Sequence, residues 1–308
     1  MKVLITGIDG FVAPFLAKIE LEAGNSVYGS YLKEPSRLPG VHYVFMDLLD
    51  KQLVEKIIAE IKPDRIYHLA GFSSVAESWK YPEMAMKVNA HGMQNLLDGI
   101  VDAKIKPKIV VVSSADVYGV PEYLPINESH LLNPQSPYGK SRVEQEKIIS
   151  RYKDLDITIA RSFSHTGPGQ EAKFVCSAFS WQIALIEQGE AKPVIMHGNL
   201  EIKRDFSDVR DIVRAYKLLA EKGKSHDFYN VCSGRLFSLN EILDMLLSMS
   251  TAKIVKKLDP SKVRQADILV LHGDNSKLKA AAGWKPEIDF KQTLKEILEY
   301  WRKKVAAV

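Results

Sequence analysis

Cysteine is scarce in this chain of 308 residues, which contains only Cys176 and Cys232. The two lie far apart in apolar surroundings, so we predict reduced core residues rather than a disulfide framework, as is usual in the cytoplasm. The sequence also lacks an apolar run long enough to span a membrane. Met1 and Lys2 lead directly into a strand pattern, without the features of a signal peptide. We therefore expect a cytoplasmic protein with no membrane partner.

An excess of charge of one sign is missing as well. The 42 basic and 38 acidic residues are interspersed and leave a net charge of +4. This balance is too mild to predict a nucleic-acid partner, although it suits an anionic small molecule. The remaining composition is that of an ordinary globular protein, and we predict no metal site. The length allows one large α/β domain, or a domain with a smaller lobe.

A glycine turn lies close to the N-terminus. Residues 2–6 form a short β-branched run typical of a buried parallel strand, and helical spacing of apolar residues begins near Pro14. Between them, Gly7 allows a tight turn, Gly10 lets the backbone approach a diphosphate, and Ala13 is the third small residue. The pattern predicts a dinucleotide site in which the N-terminus of the helix faces the phosphates.

The second predicted strand, residues 26–31, does not end in an acid. Sites specific for NAD usually carry an acid there, which binds the ribose 2′-hydroxyl. Here Lys33 follows the strand and Arg37 lies a little further on, and either can meet a 2′-phosphate, although both also suit a solvated loop. The sequence therefore favours NADP(H), with NAD(H) possible.

Strand and helix patterns alternate through the first half of the chain. Further strands are predicted at residues 41–48, 63–71, 108–114 and 157–163, and helices at 51–61 and 83–103. Asp47 and Leu48 end one strand and suit an adenine edge, while Ser113 and Ser114 end another at the edge where ligands bind. We predict an α/β fold with a Rossmann-type doubly wound parallel sheet.

The second half is less regular. Its helices are predicted at residues 174–189, 209–221, 239–248, 276–282 and 292–303, with short strands between them. We predict a dinucleotide-binding Rossmann domain at residues 1–165, to which residues 207–232 return. Residues 166–206 and 233–308 would form a smaller α+β lobe that binds substrate.

A further helix is predicted after residue 135, with Ser136 as its cap and Pro137 in its first turn. Tyr138 and Arg142 are four residues apart and therefore share one face of this helix. A cation fixed beside a phenol lowers the pKa of the phenol, which can then exchange a proton with an alcohol or ketone. The pair alone is weak evidence, because tyrosine and arginine occur at this spacing on many solvated helices.

Together, these motifs resemble the extended short-chain dehydrogenase/reductases of the NAD-dependent epimerase/dehydratase family, which act on nucleotide-sugars. The resemblance runs in order along almost the whole chain, at residues 6–13, 47–48, 69–71, 113–119, 136–139, 167–170, 204–211, 229–234 and 283–286. Residues 197–206 and 229–234 look most like the reductases of GDP-linked 4-keto-6-deoxyhexoses. Those enzymes use NAD(P)H to reduce the 4-keto product of GDP-mannose 4,6-dehydratase to GDP-D-rhamnose.

The resemblance implies a role for each matching residue. Ser114 would bind the C4 oxygen of the sugar, and Tyr138 would protonate that oxygen as hydride arrives at C4. Asn89 and Ser113 would order the site near the nicotinamide. The implied cofactor residues are Gly7, Asp9, Gly10, Phe11, Val12, Lys33, Asp47, Leu48, Leu69, Ala70, Gly71, Asn89, Ser113, Tyr138, Arg142 and Phe163.

The implied substrate residues are Ser114, Ser164, Asn199, Arg204 and Arg264. Arg204 and Arg264 would hold the diphosphate, because the fork of arginine matches phosphate oxygens. A structural alternative for Arg204 is an ion pair with Asp208 or Asp211. Ser164 stands where the family usually has an asparagine that contacts the nucleotide-sugar.

One departure from the family pattern concerns Arg142, because the pattern at this position is Tyr-x-x-x-Lys. Lys140 cannot easily replace that lysine, since two residues turn a helix by about 200°. Arginine is always charged but cannot relay a proton, so we expect catalysis to survive with a higher tyrosine pKa or at a lower rate.

Asp116 bears on the type of reaction. Dehydratases of the family carry a glutamate at this position as the base that removes the C5 proton, and aspartate is one methylene shorter. Reduction is therefore favoured over 4,6-dehydration of GDP-mannose or 4-epimerisation of a UDP-sugar. A catalytically silent cofactor-binding protein is the alternative of another class. The resemblance also implies a homodimer formed through helices near residues 83–103 and 136–153.

Overall fold

A parallel sheet of seven strands is built from the apolar runs predicted above. The computed structural model describes residues 1–35, 37–263 and 268–307. The strands are β1 Lys2–Thr6, β2 Ser26–Tyr31, β3 Val41–Phe45, β4 Arg65–His68, β5 Lys108–Ser114, β6 Asp156–Ser162, β7 Ser164–Thr166, β8 Val194–His197, β9 Lys203–Asp208, β10 Phe228–Val231, β11 Leu236–Ser238, β12 Val255–Leu258 and β13 Val270–Leu271. The helices are α1 Ala13–Glu22, α2 Lys51–Ile61, α3 Val75–Ser78, α4 Pro82–Met86, α5 Gly92–Asp102, α6 Pro137–Ile149, α7 Val175–Glu187, α8 Val209–Lys222, α9 Leu239–Ser248, α10 Ser276–Ala282 and α11 Phe290–Ala306.

The order of the main sheet is β10-β6-β5-β4-β1-β2-β3, and every pair of neighbours in it is parallel. The chain first proceeds from β1 to β3 on one side, then returns to β4 on the other side of β1. Ligands bind beyond the carboxyl ends of strands at such a switch point. The predicted doubly wound parallel sheet is confirmed.

Apolar side chains cover both faces of this sheet. Val3 and Ile5 of β1 belong to a core shared with α1 and α8, whereas Leu4 belongs to a second core shared with α2 and α5. Alternate residues of one strand therefore reach opposite faces, as the pleat requires. The nearly continuous apolar runs follow from this burial on both sides.

Some predicted element bounds were wrong. The third strand ends at Phe45 rather than at residue 48, because the chain turns at Asp47 and Asp50 then caps α2 with its side chain. The fourth strand covers only Arg65–His68. The long helix predicted at 83–103 consists of α4 and α5 joined by a π-helical turn, Lys87–His91.

A smaller α+β lobe accompanies the main sheet, as expected. In it β9 pairs with β7, β11 and β13, and β8 pairs with β12. A third core, which includes Phe206, Leu246 and Trp301, packs α7, α9 and α11 together.

Residues 207–232 return to the main sheet, since β10 pairs with β6 and α8 packs on α1. The exact boundaries between a cofactor domain and a substrate lobe stay a prediction. In the described parts of the chain, no helix has the length and apolar character needed to cross a membrane. Within these same ranges, no three or more His, Cys, Asp or Glu side chains are grouped to hold a metal ion.

Candidate active site

A cleft of about 1350 Å³ lies over the carboxyl edge of the main sheet and extends to the smaller lobe. Ligand pockets in proteins usually measure about 300–1000 Å³, so this volume suits two ligands side by side. Of the predicted site residues, the cleft is lined by Gly7, Asp9, Gly10, Phe11, Val12, Lys33, Asp47, Leu48, Leu69, Ala70, Gly71, Ser113, Ser114, Asp116, Tyr138, Arg142, Phe163, Ser164, Asn199 and Arg204. Structure thus gathers residues that are up to 197 positions apart in the chain.

The glycine turn has the shape that a diphosphate needs. Gly7 has φ +74°, and a Cβ atom added there would lie 2.8 Å from Cα of Ala70. The amide of Gly10 donates to the carbonyl of Gly7 at 3.0 Å, which closes the turn. In the described structure no side chain caps the following helix α1. Its first N–H groups are therefore available to an anion, and the turn fits a dinucleotide.

Arg37 lies beyond the end of β2 and is exposed. Its guanidinium pairs with Glu34 at 2.7 Å and lies over the ring of Tyr43. Lys33 lines the cleft. The carboxylate of Asp9 reaches the end of β2 from the glycine turn and accepts hydrogen bonds from the backbone N–H groups of Leu32 and Lys33.

Helix α6 begins as the sequence predicted. The hydroxyl of Ser136 accepts from the amide of Gly139 at 3.0 Å, and Pro137 is in the first turn. The amide of Tyr138 donates to the hydroxyl of the buried Ser78 at 3.1 Å. Two hydroxyls therefore satisfy the free N–H groups of the first turn and fix the position of Tyr138.

Arg142 is held under the cleft beside Tyr138. Its Nη1 donates to the carbonyl of Val112 at 3.1 Å and to Oε1 of Gln145 at 3.0 Å. Its Cζ lies 5.3 Å from the centre of the Tyr138 ring. Tyr138 is 7% exposed and Arg142 4%, so the cation acts in a medium that screens charge weakly. Lys140 is exposed on the opposite side of the helix.

Ser114 and Asp116 form a pair at the end of β5. The hydroxyl of Ser114 donates to Oδ2 of Asp116 at 3.0 Å and accepts from the backbone N–H of Asp116 at 3.1 Å. Burial raises the pKa of Asp116, while the bond from Ser114 and the charges of Arg204 and Arg142 oppose this shift. The carboxyl of Asp116 therefore lies in the electrostatic field of two cations, Arg142 of α6 and Arg204 of the smaller lobe.

Ser113 is held in place by a buried side chain of α6, Glu146. Its hydroxyl donates to Glu146 at 2.7 Å, and Glu146 forms a two-pronged ion pair with Arg161 at 3.1 and 2.8 Å. All three side chains are buried. This ion pair could not be predicted from the sequence, because its members lie on different elements 15 residues apart.

Asn89 does not line the cleft, unlike the other implied cofactor residues. Its side chain is fully buried, bonds the backbone N–H and carbonyl of Phe72 at 2.8 and 3.1 Å, and donates to Ser141 at 2.8 Å. Asn89 therefore joins the loop after β4 to α6. The expected direct contact with cofactor is corrected to an indirect role, in which this buried side chain holds the loop in place. Arg264, an implied substrate residue, lies outside the described residues.

The smaller lobe contributes Ser164, Asn199 and Arg204 to the cleft. Ser164 is on β7, beside Phe206 of β9. Nη1 of Arg204 donates to the carbonyl of Lys203 at 2.9 Å. Asp208 and Asp211, considered above as structural partners of Arg204, pair with Arg210 at 2.8 Å and with Arg214 at 2.7 Å.

Two further groups of the cleft were missed. The hydroxyls of Ser162 and Tyr216 lie 2.7 Å apart, and both residues line the cleft. Tyr216 has the spacing of an ordinary core residue in α8, so only its tertiary position singles it out. His165 also lines the cleft, its Nδ1–H donates to the carbonyl of Phe163, and burial lowers its pKa.

This arrangement joins a glycine turn that fits a diphosphate to a phenol, a cation and a hydroxyl–carboxyl pair. A family model described as GDP-mannose 4,6 dehydratase matches residues 4–297. The chain belongs to this family. The membership and the nucleotide-sugar resemblance predicted from the motifs are thereby confirmed.

Individual members and neighbours of the GDP-mannose 4,6-dehydratase family extend the comparison. The chain is 31% identical to the GDP-6-deoxy-D-mannose reductase of Pseudomonas aeruginosa, over 99% of this chain and 98% of that protein. A solved structure of RMD from Pseudomonas aeruginosa, complexed with NADPH, matches with a TM-score of 0.86 and 30% identity, and covers 98% of this chain and 99% of that one. The UDP-glucose 4-epimerase of Thermus thermophilus, in complex with NAD, matches with a TM-score of 0.88 and 26% identity, over 98% and 99% of the two chains.

Proposed function

We propose that this protein is an NAD(P)H-dependent reductase of a GDP-4-keto-6-deoxyhexose. It would convert the 4-keto group to the alcohol and give a GDP-6-deoxyhexose of the GDP-D-rhamnose type. The observation that carries the proposal is the presence of Tyr138, Ser114 and the glycine turn in one cleft. The likeness to a GDP-6-deoxy-D-mannose reductase over the full chain supports the same substrate class.

The glycine turn and the start of α1 would hold the diphosphate of the cofactor. Asp47 and Leu48 would meet the adenine, and Gly71, Ser113 and Phe163 the nicotinamide end. The cofactor would be NADP(H), which the sequence favours, or NAD(H), and solved neighbours hold NADPH in one case and NAD in another. When bound, the reduced nicotinamide supplies a hydride.

Tyr138 would donate its proton to the C4 oxygen of the sugar. A positioned general acid of this kind contributes about 10²- to 10⁴-fold to a rate. The fixed charge of Arg142 stabilises the phenolate that remains. Ser114 would turn its hydroxyl hydrogen from Asp116 to the same C4 oxygen and so polarise the carbonyl before protonation.

Arg204 and Asn199 would hold the nucleotide-sugar from the smaller lobe. The planar fork of arginine can bind two phosphate oxygens at once. Arg204 contributes to the electrostatic field at Asp116, which supports a position close to the reacting end of the cleft. Ser164 offers a shorter group than the asparagine usual in the family.

The first experiment tests the reaction itself. GDP-mannose is treated with a GDP-mannose 4,6-dehydratase, and this protein is then added with NADPH or NADH. We expect loss of the reduced-nicotinamide absorbance and a GDP-6-deoxyhexose identified by NMR. Conversion of GDP-mannose itself would indicate a dehydratase, interconversion of UDP-sugar epimers without net oxidation an epimerase, and cofactor binding without turnover a silent protein.

A variant of Tyr138 tests its role within this reaction. We expect Tyr138→Phe to lower kcat by about 10²- to 10⁴-fold, because only the proton donor is removed. The control is Tyr123→Phe, since Tyr123 is 45% exposed and bonds Asn127. Binding of NADPH, followed by fluorescence, should be equal in both variants. A Tyr138→Phe enzyme within tenfold of the wild type would contradict the assignment.

A cytoplasmic homodimer completes the proposal. Met84 of α4 and Val101 of α5 are 48% and 49% exposed, so apolar side chains of this segment are accessible to a partner. Light scattering of the purified protein tests the mass. A monomer at micromolar concentration would contradict the dimer.

A further inference from the structure

The end of β2 has an acid after all, although it comes from another part of the chain. Oδ2 of Asp9 accepts from the backbone N–H of Leu32 at 3.4 Å and from that of Lys33 at 3.0 Å. Asp9 is 23 and 24 residues away from these partners. The carboxylate therefore spans from the glycine turn to the first residues after β2.

The geometry of β1 and β2 fixes this position. Thr6 is opposite Ser30 in the parallel pair, and the amide of Ile8 donates to the carbonyl of Ser30 at 2.8 Å. The turn that follows Ile8 is thus held beside the chain that leaves β2. In doubly wound folds the adenosine ribose is recognised at this end of the second strand. Asp9 lines the cleft here.

Two consecutive N–H groups directed at one point form a site for an anion. In this protein the carboxylate of Asp9 already takes those groups. A ribose 2′-hydroxyl can donate a hydrogen bond to this carboxylate without displacing it. A 2′-phosphate, which carries a charge of about −1.5 to −2, must either displace the carboxylate or lie beside a like charge.

The surrounding cations offset this repulsion only in part. Lys33 lines the cleft, but Arg37 is paired with Glu34. We propose that Asp9 is the cofactor-selecting residue of this protein, which weakens binding of NADP(H) relative to NAD(H) and lets the site accept both. This inference rests on the proposed use of a nicotinamide cofactor, but not on the identity of the sugar.

The variant Asp9→Asn tests the charge and leaves the shape unchanged. The amide oxygen can still accept from the two N–H groups, so the turn is preserved. Dissociation constants for NADH and NADPH are measured by the fluorescence of the reduced nicotinamide. The fragments ADP and 2′,5′-ADP are measured by competition. We expect the dissociation constant for NADPH, divided by that for NADH, to fall by about tenfold. The corresponding ratio of 2′,5′-ADP to ADP should fall by a similar factor.

The control variant is Asp47→Asn, which removes another acid that lines the same cleft. It should change the binding of both cofactors together and leave their ratio within about twofold. The effect of Asp9→Asn should also decrease at high salt, as a charge effect at an exposed site does.

An unchanged ratio in Asp9→Asn, or an equal loss of both cofactors, would overturn the role of Asp9 while leaving the proposed reductase intact. A wild-type protein that binds neither cofactor would overturn both proposals. The two failures are therefore distinguishable in one set of titrations.

Discussion

At the scale of single residues, Arg142 departs from the family pattern and yet is well held. Its guanidinium bonds Val112 and Gln145, and its charge lies over Tyr138. In the proposed reaction, this fixed charge would stabilise the anion left when Tyr138 gives up its proton. The guanidinium does not provide the proton transfer that a lysine could perform, because arginine stays protonated.

We expect Arg142→Lys to raise kcat for reduction by roughly three- to tenfold, because lysine can relay a proton to Tyr138. The same change should lower the free energy of unfolding by about 1–3 kcal/mol, since a buried acceptor is left without its bond. Steady-state kinetics and urea unfolding measure the two effects. The matched control is Lys140→Arg, an exposed position on the same helix. An unchanged or lower kcat would contradict the view of arginine as a compromise.

At the scale of elements, the turn between β1 and α1 requires glycine at position 7 for two reasons, its backbone conformation and the close approach of Ala70. Gly7 has φ +74° and also lies too close to Ala70 for a Cβ atom. Gly24, after α1, has φ +76° but has nothing within 4 Å of an added Cβ. The two glycines therefore share a backbone conformation and differ in their surroundings.

We expect Gly24→Ala to cost about 1 kcal/mol of unfolding free energy, which is the strain of a left-handed residue, and to leave cofactor binding unchanged. Gly7→Ala should cost more, because the segment after β4 or the glycine turn must move, and it should weaken NADPH binding at least tenfold. Chemical denaturation and fluorescence titration measure these effects. Equal behaviour of the two variants would show that the approach to Ala70 is unimportant.

The segment formed by α4 and α5 is interrupted by a π-helical turn. Its apolar spacing predicted one continuous helix, but the turn that contains Asn89 is π-helical. Asn89 there bonds Phe72 and Ser141, which belong to two other elements. A π-helical turn shifts a side chain around the helix, so tertiary hydrogen bonds can override a regular period.

At the scale of the whole molecule, the buried His68 links folding to pH. It lies on β4, and its Nδ1 is 3.0 Å from the hydroxyl of Thr6. Burial lowers the pKa of His68 from 6.5 to about 3, and the charge of Arg142 adds to this shift. As pH falls below 6.5, the unfolded chain takes up a proton that the folded chain does not take up until about pH 3.

The free energy of unfolding should therefore decrease by about 1.4 kcal/mol per pH unit in this window, owing to His68. In His68→Asn that contribution disappears, so the slope of stability against pH becomes smaller. It does not vanish, since burial also lowers the pKa of His165. Urea unfolding between pH 6 and pH 4 measures the slope. The control is His91→Gln, at an exposed site, which should retain the wild-type slope. If His68→Asn also retained the wild-type slope, the assignment of this pH dependence to His68 would be wrong.

The sequence by itself determined the local features of the site. The strand–glycine–helix start, the capped helix that carries Tyr138, and the alternation of strands and helices all depend on residues close together in the chain. Backbone conformation, helix caps and side-chain period are set by such neighbours, so they can be predicted without a structure. The same holds for Ser114, since a strand end faces the ligand edge of a parallel sheet.

Only the tertiary structure decided which distant groups meet. It brought Asp9 to the end of β2, turned Asn89 towards Phe72, and placed Asp116 in the field of Arg204. Such contacts depend on how elements pack, and a carboxylate or amide of given type can bond many alternative partners. The proposed proton donor Tyr138 could therefore be found from the sequence, whereas the position of Asp9, the proposed cofactor-selecting residue, follows from the fold.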